Sequence, residues 1–256
     1  NDYINGTKKI VESCAISAKE SPYDLNYQEK QYALIRSLNV DVTPKEEQVL
    51  QPIFIVGMPR SGSTLLEKRF LDAGYDSVGE SLLFSNLVQL SLAKSGKIDG
   101  DLIRKSYIRN IAYRGIRSNY WIDKSLNNFK YMSVIKSVFP KAKFLILNRD
   151  TKANFWSIYK TVFKQGNLFS NDFGWIKKEY DLMRRFISEQ NVDTAFTVRY
   201  EDVVSGRFQI APVGKSISRP LATASSHIVY KKTISNRNDE IQFVEPVLKS
   251  LGIQVN

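Results

Sequence analysis

Cysteine and histidine are nearly absent: 256 residues hold one of each, Cys14 and His227. A single thiol excludes an internal disulfide, and a single imidazole excludes a His-rich metal site. Long apolar runs are missing as well; none approaches the roughly 18–20 residues that cross a bilayer. The opening NDYINGTKKIVE carries no signal-peptide core. Acidic side chains are also scarce, with 26 Asp plus Glu against 37 Lys plus Arg, a formal charge of +11. That surplus favours anionic partners such as nucleotides, nucleic acid, phosphorylated or sulfated compounds and acidic lipid, without choosing among them. The apolar share of 43% is that of a globular protein. The expectation is a soluble, basic, disulfide-free chain, and one cysteine fits a reducing cytoplasm.

Residues 1–50 read as a helical arm. Ile10, Val11, Cys14 and Ala18 fall on one helical face, Tyr27, Leu34, Ile35 and Leu38 suggest a second segment, and Ser21-Pro22 separates the two. From residue 51 to 256 the text changes to a main domain. QPIFIVG (51–57) is short, apolar and ends in glycine, the pattern of a strand buried on both faces. NYWID (119–123), KFLILN (143–148) and AFTVRY (195–200) read as further strands. Between them run helical stripes: Phe129, Met132, Ile135, Val138 and Phe139; Phe155, Ile158, Tyr159, Val162 and Phe163; Phe173, Ile176, Tyr180, Met183 and Ile187. Strands alternating with long helical patterns predict an α/β fold, with a central parallel sheet flanked by helices.

Directly after the first strand stands Gly57-Met58-Pro59-Arg60-Ser61-Gly62-Ser63-Thr64. Its spacing is that of a phosphate-binding P-loop: Gly, four residues, Gly, then two positions where nucleoside triphosphatases carry Lys and Ser or Thr. Glycines permit the wrap that turns backbone N–H groups inward, and the following helix adds its positive end. Ser63 occupies the Lys position, so the ammonium that reaches the β and γ phosphates of ATP is missing. Arg60 supplies a cation from another direction. A single 5′-phosphate-like group suits this loop better than a triphosphate does.

The stretch PIFIVGMPRSGSTLLEK resembles the 5′-phosphosulfate loop of sulfotransferases that use 3′-phosphoadenosine-5′-phosphosulfate (PAPS), most nearly the bacterial tetratricopeptide-linked group related to tyrosylprotein sulfotransferases. The similarity continues through DKSLNNFKYMSVIKSVFPKAKFLILNRDTKANFWSIY and VRYEDVV, with a fainter match at LATASSHIVYKK. It implies a three-layer P-loop-type fold, with PAPS as co-substrate and no metal. It implies that Arg60, Ser61, Gly62, Ser63 and Thr64 bind the 5′-phosphosulfate, and that Arg149 and Ser157, eight residues apart, bind the 3′-phosphate. Lys124 matches the family's leaving-group lysine. Glu80 lies where a Gly-Glu segment supplies the general base; in the tyrosylprotein branch that segment reads Gly-Glu-Glu, and the second Glu falls on Ser81, which is no base near neutral pH. Tyr200 and Thr223 to Ser225 match segments beside the nucleotide. His227 is set aside, because the histidine base of cytosolic relatives comes from another part of the chain.

Relatives carry an arginine after the Thr-Ala-Ser segment, where this chain has Lys231 and Lys232, point charges without bidentate geometry. The resemblance implies sulfuryl transfer to the hydroxyl of an acceptor (a protein tyrosine, a glycan or a small metabolite), with residues 81–118 and 164–175 expected to build the acceptor pocket. An inactive 3′,5′-ADP- or PAPS-binding regulator is the alternative, and a P-loop kinase of small molecules a further one. No aromatic-basic motif accompanies the charge, so nucleic acid is not expected as a partner. A cytoplasmic protein is expected, with a Golgi-lumen relative of the anchored kind as the alternative. Nothing in the sequence sets the oligomeric state.

Overall fold

The structure, a computed structural model, describes residues 2–20, 22–43, 49–161, 163, 167–213, 245–247 and 249–252. Helices α1 (Asp2–Glu20) and α2 (Leu25–Arg36) lead into β1 (Val40–Asp41), β2 (Ile53–Gly57), α3 (Ser63–Asp72), β3 (Asp76–Gly79), α4 (Leu83–Ser95), β4 (Ile98–Asp99) and α5 (Gly100–Tyr113). Next come β5 (Trp121–Asp123), a 3₁₀ turn (Leu126–Tyr131), α6 (Met132–Val138), β6 (Lys143–Asn148), α7 (Thr151–Tyr159), a second 3₁₀ turn (Leu168–Asn171), α8 (Phe173–Gln190), β7 (Ala195–Arg199) and α9 (Tyr200–Ser205). Among the described residues no helix is long and apolar enough to cross a membrane.

The chain divides into two compact units. One holds the described parts of 31–148 and 186–229, the other those of 1–30, 149–185 and 230–256. Residue 50 lies inside the first unit. There Val40 and Asp41, in the segment read as a helical arm, pair in parallel with Ile98 and Asp99.

The first unit is built on a five-stranded sheet of order β3-β5-β2-β6-β7, with every pair parallel. Alternation along β2 sorts its side chains between two helical layers. Ile53 and Ile55 join Ile122, Leu145, Leu147 and Val198 beneath Leu66 and Phe70 of α3 and Val203 of α9. Phe54 points the other way, against Phe84 of α4 at 6.2 Å and Phe144 of β6 at 5.7 Å between ring centroids. Burying each such Leu, Ile or Phe contributes about 1.5–3 kcal/mol, and these pairs hold the helices to both faces. The α/β architecture with a flanked parallel sheet is the one the strand and helix patterns predict.

The second unit packs α1, α7, the 168–171 turn and the first part of α8 around aromatic rings. Tyr159 stacks on Phe173 at 4.3 Å, Phe155 meets Tyr180 edge-on at 5.5 Å, and Cys14 donates to the Tyr159 carbonyl at 3.4 Å. Helix α7 stops four residues short of Phe163, the last member of its apolar stripe. The Thr161 amide turns back to Ile158 O at 3.0 Å and its hydroxyl caps Ser157 O at 2.6 Å, which tightens the last turn into 3₁₀ geometry.

Candidate active site

Strand β2, the first of the sheet in chain order, lies at its centre, with β5 on one side and β6 on the other. From β2 the chain crosses to β3 on one side, and from its neighbour β6 it runs on to β7 on the other, so the crevice at the carboxyl ends of these strands is where an open parallel sheet accepts ligands. The loop 57–62 occupies that end. Gly57 has φ 142°, and a Cβ there would lie 2.8 Å from the Leu147 carbonyl oxygen, so β6 passes too close for a side chain. Arg60 is exposed and left-handed at φ 62°. Ser61 is buried, and its hydroxyl donates to Met58 O at 2.7 Å, which commits that group to the shape of the loop. Gly62, at φ 101°, caps α3 without a side chain, while the Leu65 and Leu66 amides return to its carbonyl at 3.0 and 3.1 Å. The first-turn amides of Ser63 and Thr64 thus open a helix that has no side-chain cap, an arrangement suited to an anion.

Lys124 follows β5, the neighbour of β2, and is 1% exposed. Its Nζ lies 3.1 Å from Glu67 Oε2 and 3.8 Å from Glu80 Oε2. These are ion-pair distances, but Glu67 is not aligned for a hydrogen bond, Glu80 stands beyond hydrogen-bond reach, and the ammonium has no hydrogen-bond partner among the described residues. Taking a cation out of water costs about several kcal/mol, which a facing carboxylate offsets and a bound anion offsets further. A buried ammonium with unused donors, tied to the helix that opens from the loop, fits a ligand carrying phosphate or sulfate oxygens.

Glu80 follows β3 and its side chain is 68% exposed, so solvent reaches it. Asp123, before Lys124, is fully buried and its pKa is pushed up to about 6, because burial outweighs the hydrogen bonds that favour its charged form. It accepts from Tyr107 Oη at 2.7 Å, from the Ser125 amide at 3.0 Å and from Asn128 Nδ2 at 3.2 Å. The same burial holds the Tyr107 hydroxyl well above the usual tyrosine range. Ser125 Oγ donates to the Ser81 carbonyl, and the Ser81 amide donates to that hydroxyl at 2.9 Å. The segments after β3 and β5, which carry Glu80 and Lys124, are therefore laced together.

Arg60, Ser61, Gly62, Ser63, Thr64, Glu80, Lys124 and Tyr200 lie in the sheet unit; Arg149 and Ser157 lie in the other. Tyr200 opens α9 instead of closing β7, and its ring covers Gly62. Arg149 is half-buried and directly follows β6; Ser157 is buried on α7. Thr223, Ser225, His227, Lys231 and Lys232 lie outside the described residues. Residues 83–95 and 100–113 form helices α4 and α5. The residues that sequence reasoning missed are Glu67 and Ser77. Glu67 sits between Leu66 and Phe70, which are both core residues, and an acid on that face of the helix was the available signal.

The fold is thus a P-loop-type α/β sheet with a glycine-bearing loop and a buried lysine at the carboxyl ends of its strands. A model of the sulfotransferase family matches residues 89–210, a span that includes Lys124, Arg149, Ser157 and Tyr200. The chain is also 27% identical over 204 residues to an uncharacterized protein of Aquifex aeolicus (strain VF5), covering 68% of this chain and 26% of that protein.

Proposed function

We propose that this chain transfers the sulfuryl group of PAPS to the hydroxyl of an acceptor, in line, with side-chain cations in the place of a metal. The observation that carries the reading is the buried Lys124 ammonium, without an aligned partner among the described residues and paired with a carboxylate of the helix that opens from the anion loop. The loop amides from Ser61 to Thr64, with Arg60, hold the 5′-phosphosulfate. Arg149 and Ser157 take the 3′-phosphate, and Tyr200 stands beside the nucleotide; Ser225, assigned with it, lies outside the described residues.

As the acceptor oxygen bonds to sulfur, the bond from sulfur to the bridging phosphate oxygen breaks and its electron pair stays on that oxygen. Lys124 and Arg60 place positive charge where this negative charge grows, so their attraction is strongest in the transition state. Glu80 receives the hydroxyl proton. The products are a sulfate ester and 3′,5′-ADP.

Purified protein incubated with PAPS and a panel of tyrosine peptides, glycans and small alcohols is expected to form a sulfated product and 3′,5′-ADP in equal amounts. No product from any acceptor, together with a melting temperature raised by ATP and not by 3′,5′-ADP, would overturn the reading.

A further inference from the structure

Glu67 closes a circuit that fixes Lys124 at both ends. Its Oε2 faces Lys124 Nζ at 3.1 Å, and its Oε1 accepts from Ser77 Oγ at 2.5 Å. Ser77 Oγ in turn accepts the Gly79 amide at 2.9 Å, and the Gly79 carbonyl accepts the backbone amide of Lys124 itself at 3.1 Å. Three residues of α3 and β3 thus hold one lysine by its main chain and by its ammonium. Glu67 and Ser77 are 5% and 6% exposed, so little water competes with these contacts.

The two carboxylates that face the ammonium are not equivalent. Glu67 is enclosed and has both oxygens engaged, whereas Glu80 is exposed and stands farther away at 3.8 Å. An acid held by Ser77 and paired in the interior sets a position and does not exchange protons with an incoming hydroxyl. Glu67 also lies three residues after Thr64, on the same stripe of α3, so the helix that presents the loop amides also carries the lysine's counter-ion.

We propose that Glu67 is the positioning residue of the site: a fixed internal counter-ion that sets the Lys124 ammonium relative to the anion loop and leaves Glu80 free to take the proton. The assignment of Lys124 to the leaving group rests on the sulfotransfer reading; the pairing itself does not.

Two measurements test it. In transfer from PAPS, Glu67→Gln is expected to lower kcat about tenfold or more with donor KM within about threefold, and Glu67→Asp to retain more of kcat than Glu67→Gln. In a Lys124→Met background, Glu67→Gln is expected to change the residual rate less than about twofold, since the group it positions is gone. Equal losses in both backgrounds, or wild-type kcat in Glu67→Gln, would overturn the role. Urea unfolding supplies the second measurement. Glu67→Gln and Lys124→Met each strand a buried charge, so the double variant is expected to lose less stability than the sum of the two. Additive losses would overturn the pairing whatever the donor. A wild-type protein that transfers nothing from PAPS would sink the sulfotransfer reading instead, and the unfolding cycle would still decide whether Glu67 holds Lys124.

Discussion

The ring of Tyr200 lies so close over Gly62 that a Cβ on the glycine would sit 2.2 Å from the tyrosine Cδ2 and 2.7 Å from its Cε2. Glycine at 62 thus answers two demands, the left-handed φ of 101° and the aromatic lid. Gly62→Ala is expected to cost about 2–4 kcal/mol in urea unfolding, from backbone strain and overpacking together. Adding Tyr200→Ala should restore only the overpacking share. Full recovery in the double variant would show that the backbone carries no strain.

Glu80 is the proposed base, and its exposure makes it a clean target. Glu80→Gln is expected to lower kcat by about 10²- to 10⁴-fold. The melting temperature should stay unchanged, since Glu67 remains to face Lys124. Wild-type turnover in this variant would remove Glu80 from the mechanism.

Arg149 is the proposed reader of the 3′-phosphate. By calorimetry the protein is expected to prefer 3′,5′-ADP to 5′-AMP. Arg149→Ala should weaken the bisphosphate by about 10- to 100-fold and leave 5′-AMP unchanged, because a charge-assisted hydrogen bond contributes about 1.5–3 kcal/mol. Equal wild-type affinities would contradict the assignment.

Asp123 makes stability depend on pH. Between the ordinary value of 3.8 and about 6, the unfolded chain has released this proton and the folded protein still holds it. Rising pH therefore draws the equilibrium toward the unfolded state. The contribution is full below pH about 4 and lost above about 6, and it amounts to about 2–3 kcal/mol. Urea unfolding of wild type and Asp123→Asn is expected to show the wild-type advantage shrinking by that amount between pH 3.5 and 7. A constant difference would mean that Asp123 is already ionised at pH 3.5.

Strands β2 and β6 and helix α8 were legible because their apolar residues recur at the periods of buried strands and of an amphipathic helix. Strand β3 was not. Asp76-Ser77-Val78-Gly79 has one apolar side chain, and what makes it a buried strand is its pairing with β5 and the hydroxyl of Ser77 spent on Glu67. Helix α5 went unread for a related reason. Its stripe includes Arg104, which is buried only because Val138 O and Asp101 receive its guanidinium. Polar groups enter a core when distant partners satisfy them, and no local pattern announces those partners.

By itself the sequence determined the α/β class and a tight glycine-bearing loop after the first buried strand, because turn chemistry and hydrophobic period act over a few neighbouring residues. Only the tertiary structure decided that β2 stands at the centre of the sheet, that Tyr200 covers Gly62, and that Lys124 sits between a buried and an exposed acid. Those relations join residues between 44 and 138 positions apart in the chain (Glu80 to Lys124, Gly62 to Tyr200). They exist because closing the parallel sheet brings the carboxyl ends of its strands to one edge, where the charge of a buried lysine has to be matched.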